Sequence, residues 1–69
     1  MTPEERAALD VRVEKQLMLN PTSAQHLCKQ LGLEWGTDDA HELRGSLLRL
    51  QHAGKADVIY GRGWHKIAA

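Results

Sequence analysis

The sequence predicts a mainly helical domain in which three helices are followed by a two-stranded β-hairpin. Apolar residues recur at helical spacing in three successive segments, and a proline or a glycine closes each of them. A β-prone stretch with a glycine-rich turn in its middle then follows. Because the 69 residues contain no internal repeat or low-complexity tract, we expect a single domain over residues 1–69.

The first helix is predicted over residues 3–20. Thr2 can cap it, Pro3 suits its first turn, and Pro21 ends it because the residue before a proline avoids the helical conformation. One apolar stripe consists of Leu9, Val13 and Leu17. A second stripe, on nearly the opposite side, consists of Ala7, Val11 and Met18. The second stripe is a candidate homodimer interface; alternatively, it lies beside the hairpin or the chain end.

The second helix is predicted over residues 22–32. Thr22 and Gln25 have the spacing of a capping box, and Gly32 follows the last turn, where a left-handed residue is favoured. The inward stripe of this helix consists of Ala24, Leu27, Cys28 and Leu31.

The third helix is predicted over residues 37–53, with Thr37 as its cap and Gly54 at its end. The inward stripe consists of Ala40, Leu43, Leu47 and Leu50. A count of 100° per residue then places outward Asp38, Glu42, Gly45, Ser46 and Arg49. The hairpin is predicted over residues 55–68, around a turn that contains two glycines.

This order of elements resembles the winged helix-turn-helix domain of bacterial and phage regulators. The helix-turn-helix part of the likeness is carried by Thr22-Ser23-Ala24, Leu27-Cys28, Leu31-Gly32, Leu43, Leu47, Leu50 and Gly54-Lys55-Ala56. The wing is carried by residues 58–67, with Gly61-Arg62-Gly63-Trp64 at its turn. The link over residues 33–37 is slightly longer than the tightest links of the family.

The resemblance implies a small protein that binds double-stranded DNA, a transcriptional regulator of bacterial or phage type. In such a domain the third helix enters the major groove, and the wing tip contacts phosphate or the minor groove. The hairpin also holds the only local excess of basic residues. The residues expected to contact DNA are Ser23, Gln25, Thr37, Arg44, Ser46, Arg49, Arg62 and Lys66.

The charge of the chain supports a second hypothesis from a different class. Nine basic and nine acidic residues give a formal net charge of zero, whereas dedicated DNA-binding proteins are usually basic. Asp38 and Glu42 would also be repelled by phosphates if they face outward. The alternative is a protein-binding adaptor or inhibitor whose acidic third helix docks on a basic partner.

The roles of two further residues stay open. Trp35 either covers the core or anchors a partner. Gly45 either permits the close approach of another backbone or is merely tolerated.

Several classes of function are not expected. The four histidines have no paired ligand spacing, and the single cysteine, Cys28, lies in an apolar stripe, so we expect no metal, disulfide or cofactor. No set of nucleophile and base has the spacing of a catalytic site, so an enzyme is not expected. No apolar run is long enough to span a membrane, and the charged first twenty residues do not resemble a secretory signal. A cytoplasmic location is therefore expected.

Overall fold

The computed structural model describes residues 1–68 and shows three helices followed by an antiparallel hairpin, which confirms the expected fold class. The elements are α1 (Pro3–Gln16), α2 (Ala24–Gln30), α3 (Asp38–His52), β1 (Ala56–Ile59) and β2 (Gly63–Lys66). No helix among the described residues is long and apolar enough to cross a membrane.

Helix α1 begins with the expected cap at Thr2. Its hydroxyl accepts a hydrogen bond from the backbone N–H of Glu5 at 3.2 Å, and the Glu5 carboxylate accepts one from the Thr2 N–H at 3.2 Å. The predicted end at residue 20 is wrong, because α1 ends at Gln16 and Leu17 is extended. Met18 therefore lies beyond the helix, and the predicted stripe of Ala7, Val11 and Met18 does not form one helical face.

A third chain segment beside the hairpin explains the early end of α1. The backbone N–H groups of Thr22 and Trp64 each donate to the carbonyl of the other residue at 2.8 Å, and the Lys66 N–H donates to the Met18 carbonyl at 2.7 Å. Residues 18–22 thus run along the free edge of β2, whose other edge pairs with β1. Covering a sheet edge satisfies backbone groups that a longer α1 would leave unpaired.

The same pairing shifts the start of α2. The predicted cap at Thr22 is wrong: the backbone of Thr22 is held by Trp64, and the Ser23 hydroxyl accepts from the His26 N–H at 3.2 Å. Helix α2 ends with Leu31 as its cap, and Gly32 follows at φ +73°, in the left-handed conformation that its position favours.

Helix α3 and the core agree closely with the sequence pattern. Thr37 is the N-cap, as predicted; its hydroxyl accepts from the Asp39 N–H at 3.3 Å and donates to the Glu34 carbonyl at 2.7 Å. Helix α3 packs on both α1 and α2, and no aromatic side chain among residues 1–68 is fully buried in the core. The core consists of Leu9, Val13, Leu17, Leu27, Cys28, Leu31, Leu43, Leu47, Leu50 and Ala56.

Candidate nucleic-acid interface

One flank of α3 is bound to α1 through polar contacts. Nε of Arg6 donates to the Glu42 carboxylate at 3.1 Å, which places Glu42 against α1. The Asp10 carboxylate accepts two hydrogen bonds from the Arg49 guanidinium, from Nε at 2.9 Å and Nη2 at 2.8 Å. It also accepts a hydrogen bond at 2.5 Å from the hydroxyl of Ser46, whose exposure is 0%.

These contacts correct one of the predicted DNA contacts and constrain another. Ser46 does not face outward, because its side chain is buried against Asp10. Arg49 is exposed, but its guanidinium is held by the same carboxylate, and its contact with DNA stays a prediction. The 100° count treated the leucine stripe as the only covered face of α3. In the molecule α1 covers a second flank of α3, and Glu42 lies on that flank as well.

The ion pairs shift the pKa values of their members. The hydrogen bonds from Arg49 lower the pKa of Asp10 below its ordinary value of 3.8, and the Ser46 hydrogen bond lowers it further. Asp10 in turn raises the pKa of Arg49. The hydrogen bond from Arg6 lowers the pKa of Glu42. Both carboxylates are therefore held in their charged form, with a cation beside each of them.

Gly45 has an intramolecular role. A Cβ at this position would lie 3.3 Å from Nη1 of Arg49, so the missing side chain leaves room for the guanidinium to reach Asp10. The sequence left open whether Gly45 permits the close approach of another group. In the structure the group that approaches Gly45 is the Arg49 side chain of the same helix.

The other flank of α3 is exposed and differs in composition. His41, Arg44 and Leu48 recur at helical spacing on it, after Thr37 at the N-cap. Of the predicted DNA contacts, Thr37 and Arg44 lie on this flank. Arg44 makes no ion pair within residues 1–68, in contrast to Arg49.

This exposed flank forms one wall of a groove of about 570 Å³ between α3, the link before it and the hairpin. We call it the α3–hairpin groove. Its polar side chains come from Thr37, His41, Arg44 and Gln51. The remaining lining residues are Ala24, Trp35, Gly36, Ala40, Leu47, Leu48, Val58, Tyr60 and Trp64.

The hairpin places the basic residues Arg62 and Lys66 beyond this groove, both of them exposed and without an ion pair among the described residues. Arg62 lies in the hairpin turn, and the next residue, Gly63, has φ +121°. A Cβ on Gly63 would lie 2.4 Å from the Thr22 carbonyl oxygen, so only glycine fits against the neighbouring segment.

Two other predicted contacts lie at the start of α2. The Ser23 hydroxyl already caps the helix, and Gln25 is exposed. Both line a shallow depression together with His26 and Lys29. The structure brings neither residue into the α3–hairpin groove, and their contact with DNA stays a prediction.

On α1, Ala7 and Val11 are exposed on the side away from the core residue Val13. Met18 is exposed beyond the helix end. Self-association through these residues stays a prediction, as does the expectation that the chain is not an enzyme.

Sequence reasoning missed Tyr60, His41 and Gln51 as groove residues and left Trp35 unassigned. The signal that could have indicated the aromatic members was the distribution of aromatic residues along the sequence. A chain with few aromatic residues places them in the link and the hairpin rather than in the leucine-rich helices. Their convergence required the tertiary structure, because Trp35 and Tyr60 belong to different elements.

Comparison of the chain with models of known protein families, with curated proteins and with solved structures gives no match. Among residues 1–68, no three His, Cys, Asp or Glu side chains come together in a way that could hold a metal ion. The geometry of the surface is therefore the basis for proposing a function.

Proposed function

We propose that this protein binds double-stranded DNA through the exposed flank of α3 and the hairpin, as a transcriptional regulator of bacterial or phage type in the cytoplasm. The observation that carries the proposal is the separation of charge on α3. Glu42 and Asp10 are paired with arginines on the α1 side, whereas Arg44, on the exposed side, makes no ion pair within the described part of the chain. The main objection raised by the sequence, an outward Glu42, is thereby removed.

Electrostatics supports the same surface. A chain with zero net charge can bind DNA only through a local cationic region. Arg44 on α3 and Arg62 at the hairpin turn lie on neighbouring elements that frame one groove, so both can contact one duplex. An arginine on a helix can donate two hydrogen bonds to guanine, and an arginine in a turn can bind phosphate or the minor groove. Asp38, exposed in the first turn of α3, is an opposing charge on the same helix.

Fluorescence anisotropy with a labelled pool of random-sequence duplexes at about 50 mM salt tests the proposal. We expect binding that weakens as salt rises. Arg44→Ala should weaken binding about tenfold and reduce the slope of log affinity against log salt by about 1. The matched control is Lys15→Ala, which removes an exposed cation from the last turn of α1 and should leave affinity unchanged. Absence of binding at this salt, or an equal effect of the two variants, would contradict the proposal.

A protein-binding role is the second candidate, and the apolar lining of the α3–hairpin groove favours it. Trp35 and Leu48 are large exposed apolar side chains of the kind found at protein interfaces. The expected acidic third helix is no longer the basis, because Glu42 is turned toward Arg6. This role predicts one stoichiometric partner that Trp35→Ala releases, that Leu19→Ala retains, and that duplex DNA does not displace.

A further inference from the structure

We infer that the α3–hairpin groove binds an unpaired nucleobase, so that the protein takes up a single-stranded segment of nucleic acid. The first observation is the distribution of aromatic residues. The chain has two tryptophans, one tyrosine and no phenylalanine, and all three aromatic side chains line this one groove. Among residues 1–68, the apolar members of the buried core are aliphatic side chains and one cysteine, and Trp64 is the aromatic residue that packs against them.

The exposure of these side chains is the second observation. Tyr60 is 94% exposed and Trp35 is 51% exposed, so packing in the core does not account for either position. Leu48 on the facing flank of α3 is 43% exposed. Exposed aromatic faces are the surfaces on which successive bases of a single strand stack, and the stacking tolerates any base because each has a π-face.

The charge of the groove selects among occupants. Among residues 1–68, none of those that line the groove is acidic, although the chain contains nine acidic residues. The lining includes Arg44, and Arg62 follows Tyr60 by two positions in the turn. The groove therefore combines aromatic side chains, on which bases can stack, with a cation in its lining and another in the adjacent turn, which can bind phosphates.

The volume of the groove agrees with this occupant. About 570 Å³ lies in the range of sites for small molecules and is enough for an unstacked nucleotide. An acidic peptide with an aromatic side chain has similar chemistry and is the competing occupant. The presence of three aromatic side chains in one groove favours the strand, because a strand offers a base to each of them, whereas the peptide offers a single aromatic side chain. The inference extends the proposed binding of duplex DNA and does not depend on it.

The test compares strands that differ only in their bases. The full chain is titrated with a labelled thymidine strand of about ten nucleotides and with an abasic strand of the same length, which keeps the phosphates. We expect the thymidine strand to bind about tenfold more tightly, because stacking requires the base. Quenching of the intrinsic tryptophan fluorescence by the unlabelled thymidine strand should accompany binding, since Trp35 and Trp64 both line the groove.

Variants assign the effect to the groove. Trp35→Ala and Tyr60→Ala should each weaken thymidine-strand binding about tenfold and leave abasic-strand binding unchanged. Leu19→Ala removes an exposed apolar side chain outside the groove and should change neither affinity. Circular dichroism should show that all variants retain the wild-type helix content, because Tyr60, Trp35 and Leu19 are each more than half exposed.

Equal affinity for the thymidine and abasic strands would overturn the inference, as would insensitivity to both aromatic variants. Groove-dependent binding of an acidic aromatic peptide without binding of the strand would overturn it in favour of a protein partner. A blunt duplex separates the two proposals. Binding of duplex without preference for the thymidine strand refutes only this inference, whereas strand binding without duplex binding refutes only the proposed function.

Discussion

Asp10 is the carboxylate on which the α1–α3 contact depends most, so Asp10→Ala is the most informative test of the fold. In the native protein this carboxylate accepts one hydrogen bond from Ser46 and two from Arg49. The substitution removes all three. It also leaves the Ser46 hydroxyl buried, at 0% exposure, without its hydrogen-bond partner.

The magnitude follows from the burial of each contact. The Arg49 and Asp10 side chains are 42% and 24% exposed, so solvent screens their ion pair and its loss costs about 0.5 kcal/mol. Leaving the Ser46 hydroxyl unsatisfied costs about 1.5 kcal/mol. Together the substitution should lower the free energy of unfolding by about 2 kcal/mol. For a domain of this size that corresponds to a fall in Tm of about 10 °C.

Urea and thermal unfolding, followed by circular dichroism, measure this loss. The matched control is Ser46→Ala, which removes the hydroxyl together with its need for a partner and should cost less than about 1 kcal/mol. The double variant should be no less stable than Asp10→Ala alone, because no unsatisfied hydroxyl is left. Additive losses in the double variant, or a loss below about 0.5 kcal/mol for Asp10→Ala, would refute the reasoning.

The pH dependence of the same pair has a defined sign. Hydrogen bonds from Arg49 and then Ser46 lower the pKa of Asp10 in the folded protein below its ordinary value of 3.8. The stability that Asp10 contributes is therefore fully present above this ordinary value and is lost as pH falls through the lower folded pKa. The difference in stability between wild type and Asp10→Ala should narrow as pH falls below 3.8. A difference that widens on acidification would contradict the assignment.

Two further predictions concern glycines. Gly63→Ala should lower Tm by more than 10 °C, because its Cβ would lie 2.4 Å from the Thr22 carbonyl oxygen. Gly61→Ala, at φ +83° with open space around it, should cost only about 1–2 kcal/mol; equal losses would contradict the steric explanation. Gly45→Ala should raise the free energy of unfolding by less than the gain of about 1 kcal/mol expected when alanine replaces glycine inside a helix. The gain is smaller because the Arg49 side chain must move by a few tenths of an ångström. In an Arg49→Ala background the full gain should appear, and the same gain in both backgrounds would show that Gly45 does not make room for Arg49.

The local elements were predictable because their signals lie close together in sequence. The Thr2 and Thr37 caps, the left-handed Gly32 and the leucine stripes of the helices depend on residues within a few positions of one another. The hairpin depends in the same way on its turn. For these features the periodicity of the sequence and the chemistry of helix ends were sufficient.

The candidate site was predictable only in part. Thr37 and Arg44, two of the predicted DNA contacts, line the α3–hairpin groove, and Arg62 lies in the hairpin turn; their contact with DNA stays a prediction. Ser46 was wrongly placed outward, and the ion pair of Arg49 was not foreseen, because the leucine stripe identifies the face of α3 toward the core but not the second flank that α1 covers.

The sequence by itself determined the presence and order of the three helices, the caps at Thr2 and Thr37, the hairpin and the aliphatic core. Only the tertiary structure decided which charges cancel and which stay exposed, because Asp10 meets Ser46 and Arg49 across separations of 36 and 39 residues. It likewise decided the end of α1, since Met18 and Thr22 pair with a strand near the end of the chain. The α3–hairpin groove, which the three aromatic side chains line, also depends on contacts between distant segments. Contacts between distant segments depend on how the elements pack, and local periodicity carries no record of that packing.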